Sequence, residues 1–79
     1  MSKVALTFRI EPKEGADLEK IKQKVKELGA KDVREIPIAF GIKHLEALFI
    51  TEKNPDSIEN ALKTIDGVAN VESEKVTLL

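Results

Sequence analysis

The side chain best suited to acid–base or metal chemistry near neutral pH is the single histidine, His44. A general base needs a nucleophile or an orienting group beside it, and the chain has no cysteine and no recognisable serine nucleophile motif. One imidazole also cannot form a metal site by itself. We therefore interpret His44 as an ordinary strand residue, and an enzyme that uses it as a base is a minor alternative.

The most informative segment runs from Ile36 to Leu45, where a Phe40-Gly41 pair separates two apolar runs. Hairpin turns usually carry small or polar residues, so a large aromatic ring beside the bend is unusual. Gly41 can adopt a positive φ angle, and Pro37 fixes its own φ and removes a hydrogen-bond donor. We expect Phe40 either to cap the end of the core or to contact a partner protein, because aromatic residues are enriched at interface hot spots.

The composition restricts the classes of function. The 79 residues suffice for one domain, residues 1–79, near the lower size limit for a core without disulfides or metals. With 13 basic and 14 acidic residues and a formal charge of -1, the chain is not expected to bind nucleic acid directly. It has no glycine-rich phosphate loop, so we expect no cofactor. It also lacks cysteine and any membrane-length apolar run, and we expect a cytoplasmic protein that is monomeric when free and binds no membrane.

The spacing of apolar residues predicts six elements in the order β-α-β-β-α-β. Strands are predicted where apolar residues alternate or run continuously, over residues 4–10, 31–39, 42–51 and 68–79. Helices are predicted over 18–28 and 55–65, each preceded by a capping residue, Asp17 or Asn54. Pro37 favours an edge position for the second strand, and apolar residues on both faces of the third favour a central one.

Right-handed crossovers place the first and third strands centrally and both helices on one face. The predicted fold is therefore an α+β, ferredoxin-like sandwich with a four-stranded antiparallel sheet. Its second face is uncovered, which is a physical reason to expect a partner. RNA-binding domains of this architecture stack bases on aromatic residues, but the chain has three Phe and no Tyr or Trp. A small-molecule-sensing regulatory domain of the ACT-like type has the same element order and is the alternative that we retain.

Three segments together resemble a known family: a first strand ending near Pro12, the block from Pro37 to Leu45, and a closing segment from Gly67 to Val71. They resemble translation elongation factor 1-beta in its short archaeal form, over almost the whole chain. The resemblance implies a guanine nucleotide exchange factor that binds the GTPase elongation factor 1-alpha and promotes release of its GDP during protein synthesis, without covalent chemistry. It also implies a partner-binding loop that contacts the second domain of the GTPase and is formed by Phe40, Gly41, Ile42 and Lys43.

The resemblance further implies a nucleotide-exchange tip at the end of the last strand, formed by Lys75, Thr77, Leu78 and Leu79. In eukaryotic relatives a lysine next to the C-terminus approaches the magnesium of the nucleotide pocket, whereas Leu78 occupies that place here. Lys75 starts about 10 Å back along the strand, too far to substitute for it. An exchange factor needs only a higher affinity for the nucleotide-free GTPase than for its GDP-bound form. We therefore predict that Leu78 and Leu79 act as an apolar wedge.

Overall fold

Six elements follow one another in the predicted order in the computed structural model, which describes residues 3–79. They are β1 (Val4–Pro12), α1 (Leu18–Glu27), β2 (Asp32–Ala39), β3 (Ile42–Thr51), α2 (Pro55–Lys63) and β4 (Val68–Leu78). β1 extends beyond the alternating residues 4–10 to Pro12, where the family resemblance places its end, because Glu11 and Pro12 still pair with the start of β4. The second helix ends at Lys63, and Ile65 beyond it still packs against the core.

The four strands form one sheet in the order β2-β3-β1-β4, and every neighbouring pair is antiparallel. The ferredoxin-like prediction is confirmed, with β1 and β3 central. β2, which contains Pro37, lies at an edge, where a missing N–H does not interrupt a ladder on both sides. No helix within residues 3–79 is long and apolar enough to cross a bilayer.

The core lies between one face of the sheet and the two helices. Alternate residues of the two central strands are buried there, and Phe8 and Phe49 meet edge to face with ring centroids 5.9 Å apart. Burying each ring contributes about 1.5–3 kcal/mol, and the aromatic pair adds about 0.5–1.5 kcal/mol. The buried residues are Leu6, Phe8, Ile10, Ile21, Val25, Leu45, Ala47, Phe49, Ile58, Leu62, Val68 and Val71.

Side-chain caps fix where both helices begin, as predicted. The Asp17 carboxylate accepts hydrogen bonds from the Glu19 and Lys20 amides at 3.0 and 3.4 Å. The Asn54 side chain accepts one from the Asp56 amide at 2.7 Å. These bonds satisfy amides that have no partner within the helix, and each cap is worth about 1 kcal/mol.

Gly67 lies where the connection from α2 to β4 passes close to α1. Its φ is 91°, and a Cβ atom there would lie 3.2 Å from the Ala16 Cβ and 3.3 Å from the Ile21 Cδ1. The Lys13 amide donates a hydrogen bond to the Gly67 carbonyl at 2.7 Å. The loop before α1 is thus fixed to the loop before β4.

A bulge divides the pairing between β1 and β4. Thr7 opposes Lys75 and Phe8 opposes Ser73, so Glu74 is an extra residue. Its carboxylate lies 3.5 Å from the Arg9 guanidinium in an ion pair. The bulge therefore carries an acidic side chain to a basic one on the neighbouring strand.

Candidate functional site

The Phe40-Gly41 pair forms the two-residue turn of the hairpin between β2 and β3. Ala39 and Ile42 on either side of it are paired across the two strands. The φ angles are 52° at Phe40 and 78° at Gly41, and two positive values in a two-residue loop are typical of a type I′ turn. Phe40 is the one non-glycine residue in the described part of the chain with a positive φ.

The conformation of Phe40 is unfavourable in two ways. A left-handed backbone costs a residue with a Cβ atom about 1–2 kcal/mol, and type I′ turns prefer Asn, Asp or Gly at this position. The side chain also gains nothing from burial, because its exposed area is 102% of the reference value. The ring therefore does not cap the core, which was one of the two possibilities left by the sequence. An observed backbone outlier of this kind is a reason to infer function.

The exposed surface extends along the outer part of the hairpin. Every residue from Pro37 to Lys43 is exposed, whereas Ile36 and His44 just inside it are half-buried. Ile38 and Ile42 flank the turn as further exposed apolar side chains. The sequence analysis did not select Ile38. It lies at a register shift between Pro37 and Ala39, which simple strand alternation does not predict.

An ion-paired cluster lies where this outer hairpin joins the rest of the fold. The Glu35 carboxylate is 2.9 Å from the Lys22 Nζ of α1 and 3.3 Å from the Lys43 Nζ of the predicted partner-binding loop. Hydrogen bonds donated first by Lys22 and then by Lys43 lower the pKa of Glu35 below its usual 4.5. Hydrogen bonds to Glu35 and then to Glu19 raise the pKa of Lys22 above 10.5. The sequence analysis missed this cluster, because its members are 13 and 8 positions apart along the chain.

A cleft of about 530 Å³ lies beside the turn. Residues 11–16 and Leu18, from the end of β1 to the start of α1, form one wall, and residues 41–44 form the other. Pro12, Leu18 and Ile42 give it apolar surface, and the charged lining includes Lys13 and Lys43. The surface around Phe40 therefore includes a concave region as well as a projecting ring.

The predicted nucleotide-exchange tip lies at the end of the edge strand β4. Leu78 and Leu79 are 79% and 68% exposed, and the Leu79 amide donates a hydrogen bond to the Lys3 carbonyl at 3.2 Å. Val76 is also exposed, and it shares a strand face with Leu78 because the two residues are two positions apart. Val76 was not among the predicted tip residues.

The cation of the predicted tip lies on the other face of the strand from Leu78. Lys75 and Thr77 oppose Thr7 and Ala5 of β1, on the sheet face without helices. Leu78 opposes Val4, on the face that carries the core. Lys75 is therefore separated from the Leu78 position by orientation as well as by distance.

The two predicted surfaces lie at opposite ends of the sheet. The turn adjoins Ile42 at the start of β3, whereas Leu78 opposes Val4, which in turn opposes Thr51 at the end of β3. Nine residue steps along a strand correspond to about 30 Å. The longest extent of the molecule is 42 Å, so the fold holds the two surfaces apart.

His44 lies within β3, as an ordinary strand residue. It opposes Ile36 in the ladder, and its Nδ1 atom is buried without a hydrogen-bond partner among residues 3–79. A general base uses an oriented imidazole within reach of the proton that it removes. The described part of the chain also contains no cluster of three His, Cys, Asp or Glu residues suited to a metal ion. The feature that suits contact with another macromolecule is the exposed apolar turn.

Comparisons with known proteins agree with this geometry. Residues 5–79 match the family described as the EF-1 guanine nucleotide exchange domain. Elongation factor 1-beta of Methanoregula boonei is 36% identical over 84 residues, with 99% of both chains covered. Elongation factor 1-beta of Thermoplasma acidophilum is 30% identical over 88 residues, with both chains fully covered. The resemblance found in the sequence is confirmed, and the ACT-like alternative is not favoured. The chain belongs to the EF-1 guanine nucleotide exchange family and is a guanine nucleotide exchange factor of translation elongation.

Proposed function

We propose that the chain binds the GTPase elongation factor 1-alpha directly in the cytoplasm and promotes GDP release through contacts alone, without a covalent step. One observation carries the proposal: Phe40 is fully exposed on a left-handed backbone. Folding stability favours neither feature. Binding does, because a turn whose backbone is already fixed presents the aromatic ring to a partner pocket with less loss of conformational entropy.

The partner-binding loop, Phe40 to Lys43, supplies affinity in this proposal. Phe40 is the anchor, and Gly41 and Ile42 continue the contact surface. The Lys43 ammonium adds a positive charge beside it. Apolar anchors surrounded by polar groups are the usual arrangement of an interface hot spot.

The tip at the end of β4 acts on the nucleotide site. Magnesium and the phosphate loop supply much of the free energy with which a GTPase binds GDP, so displacing either of them weakens nucleotide binding. Leu78 and Leu79 form an exposed apolar end that can displace such an element sterically. Lys75 lies on the opposite strand face and does not act as a substitute for the magnesium charge in this mechanism.

The energetic requirement is a difference in affinity. Exchange is promoted only as far as the factor binds the nucleotide-free GTPase more tightly than the GDP-bound one. A difference of about 4 kcal/mol weakens GDP binding about a thousandfold. Two separate contacts can supply this difference if only the emptied GTPase accommodates both.

The proposal is tested by measuring release of a fluorescent GDP from elongation factor 1-alpha as the concentration of this chain is raised. Release should accelerate. Phe40→Ala should raise the concentration of the chain that gives half-maximal acceleration by about 30-fold, as expected for a hot spot of about 2 kcal/mol. Leu28→Ala is the matched control, because Leu28 is an exposed apolar residue at the end of α1, outside both surfaces. Equal behaviour of the two variants, or no acceleration by the unmodified chain, would refute the proposal.

A further inference from the structure

We infer that Glu35 is a positioning residue for the partner-binding loop, acting through its ion pairs with Lys22 and Lys43. The inference rests on the proposed function and adds to it a residue that does not itself contact the partner. It explains how an exposed turn can be held in one orientation relative to the rest of the fold.

The outer hairpin has few other attachments. Every residue from Pro37 to Lys43 is exposed, and its apolar side chains Ile38 and Ile42 are still 46% and 56% exposed, so little apolar burial orients this segment. The last buried side chain on its β3 arm is Leu45, and Glu35 opposes Leu45 on β2. Glu35 therefore stands at the boundary between the part of the hairpin that joins the core and the part that projects from it.

The geometry connects three elements through one carboxylate. One Glu35 oxygen faces the Lys22 Nζ of α1 at 2.9 Å, and the other faces the Lys43 Nζ of β3 at 3.3 Å. Lys22 is also 3.3 Å from Glu19 on its own helix. Lys22 is the least exposed basic partner in the ion pairs of residues 3–79, with 20% of its side chain accessible. The cluster thus ties the β2–β3 hairpin to the helix layer beside it.

Holding the loop in place lowers the entropic cost of binding. A hairpin end free to pivot must be ordered when the partner binds, and that ordering reduces affinity. The cluster also fixes Lys43, which otherwise samples many rotamers. Loss of the cluster should weaken binding to the partner without changing the rate of GDP release at a saturating concentration of the chain.

The experiment measures GDP release with Glu35→Gln, Lys22→Gln and a control, Glu59→Gln. Glu59 pairs with Lys63 on α2 at 3.2 Å and is 26% accessible, against 31% for Glu35, so the control removes a comparable ion pair elsewhere. Glu35→Gln should raise the half-maximal concentration about two- to fivefold, the range of one or two surface ion pairs, with an unchanged maximal rate. Lys22→Gln should give a similar shift although Lys22 lies outside the loop.

A double variant separates positioning from a direct contact. In a Phe40→Ala background, Glu35→Gln should cause a smaller shift, because the main anchor that it positions is gone and only the weaker contacts of Ile42 and Lys43 remain. An undiminished shift in that background, or equal behaviour of Glu35→Gln and Glu59→Gln, would overturn the inference while leaving the proposed function intact. A Phe40→Ala variant as active as the unmodified chain would instead refute the proposed function and, with it, the inference.

Discussion

At the scale of single residues, Phe40 shows a conflict between stability and function. Its φ of 52° belongs to a position that suits Asn or Gly, and its ring is fully exposed. Local violations of this kind are expected mainly at functional sites, where the rest of the fold tolerates their cost. The same residue should therefore reduce stability and increase affinity for the partner.

Replacing Phe40 with asparagine tests this conflict. Asn-Gly is a preferred type I′ pair, so Phe40→Asn should raise the free energy of unfolding by about 1 kcal/mol, measured by urea denaturation. Alanine also has a Cβ atom and lacks the local hydrogen bonds of asparagine. Phe40→Ala should therefore raise the free energy of unfolding by less. Both variants should bind the GTPase weakly. Lower stability for Phe40→Asn than for the unmodified chain would contradict this account of the turn.

At the scale of elements, the contact between α1 and the β2–β3 hairpin should depend on pH. The pKa of Glu35 is lowered in the folded chain, mainly by the hydrogen bond from Lys22. A group with a lowered folded-state pKa stabilises the fold above its unfolded-state pKa and loses that contribution as pH falls through the folded-state value. The pKa of Lys22 is raised above 10.5 in the folded chain, so the stability that Lys22 contributes is lost only as the pH rises above 10.5.

The stability difference between the unmodified chain and Glu35→Gln should follow this dependence. It should be present at neutral pH and shrink as the solution is acidified through the lowered pKa of Glu35. Urea unfolding at several pH values measures it. A difference that stays constant over this range would show that the Glu35 charge does not stabilise the hairpin.

The elements and the site differ in how far the sequence predicts them. Caps at Asp17 and Asn54 and the edge preference of Pro37 are local signals, so the helix starts and the strand order could be derived. Register shifts are not local, which is why the exposure of Ile38 was not predicted. The Glu35 cluster depends on tertiary pairing, and no periodicity of the sequence indicates it.

At the scale of the whole molecule, the sheet serves as a spacer between two surfaces about 30 Å apart. The turn lies at the end of the exposed outer hairpin on one side, and Leu78 and Leu79 lie at the end of β4 on the other. Between them lies a core in which eight large side chains are fully buried. Close packing of this kind fixes the separation between the two ends of the sheet, and the Glu35 ion pairs hold the outer hairpin to it.

Removing Leu78 and Leu79 should therefore act independently of the turn. The truncated chain should keep its circular dichroism spectrum, because both side chains are exposed, but its maximal rate of GDP release should fall. Combined with Phe40→Ala, the two free-energy effects should add to within about 0.5 kcal/mol. Leu78→Lys distinguishes the mechanisms: an apolar wedge predicts slower release, and a charge acting at the magnesium predicts faster release. Unchanged release by the truncated chain would exclude the wedge.

The Glu74 bulge has a consequence for the chain in isolation. An edge strand as long as β4, with apolar residues at its end, offers unpaired amides and carbonyls on which another copy could assemble. The extra residue twists that border, and Lys75 immediately after it adds a charged side chain. Both features discourage strand addition between copies. We therefore expect the protein to remain monomeric at high concentration, with the apolar residues at the end of β4 free to contact the GTPase.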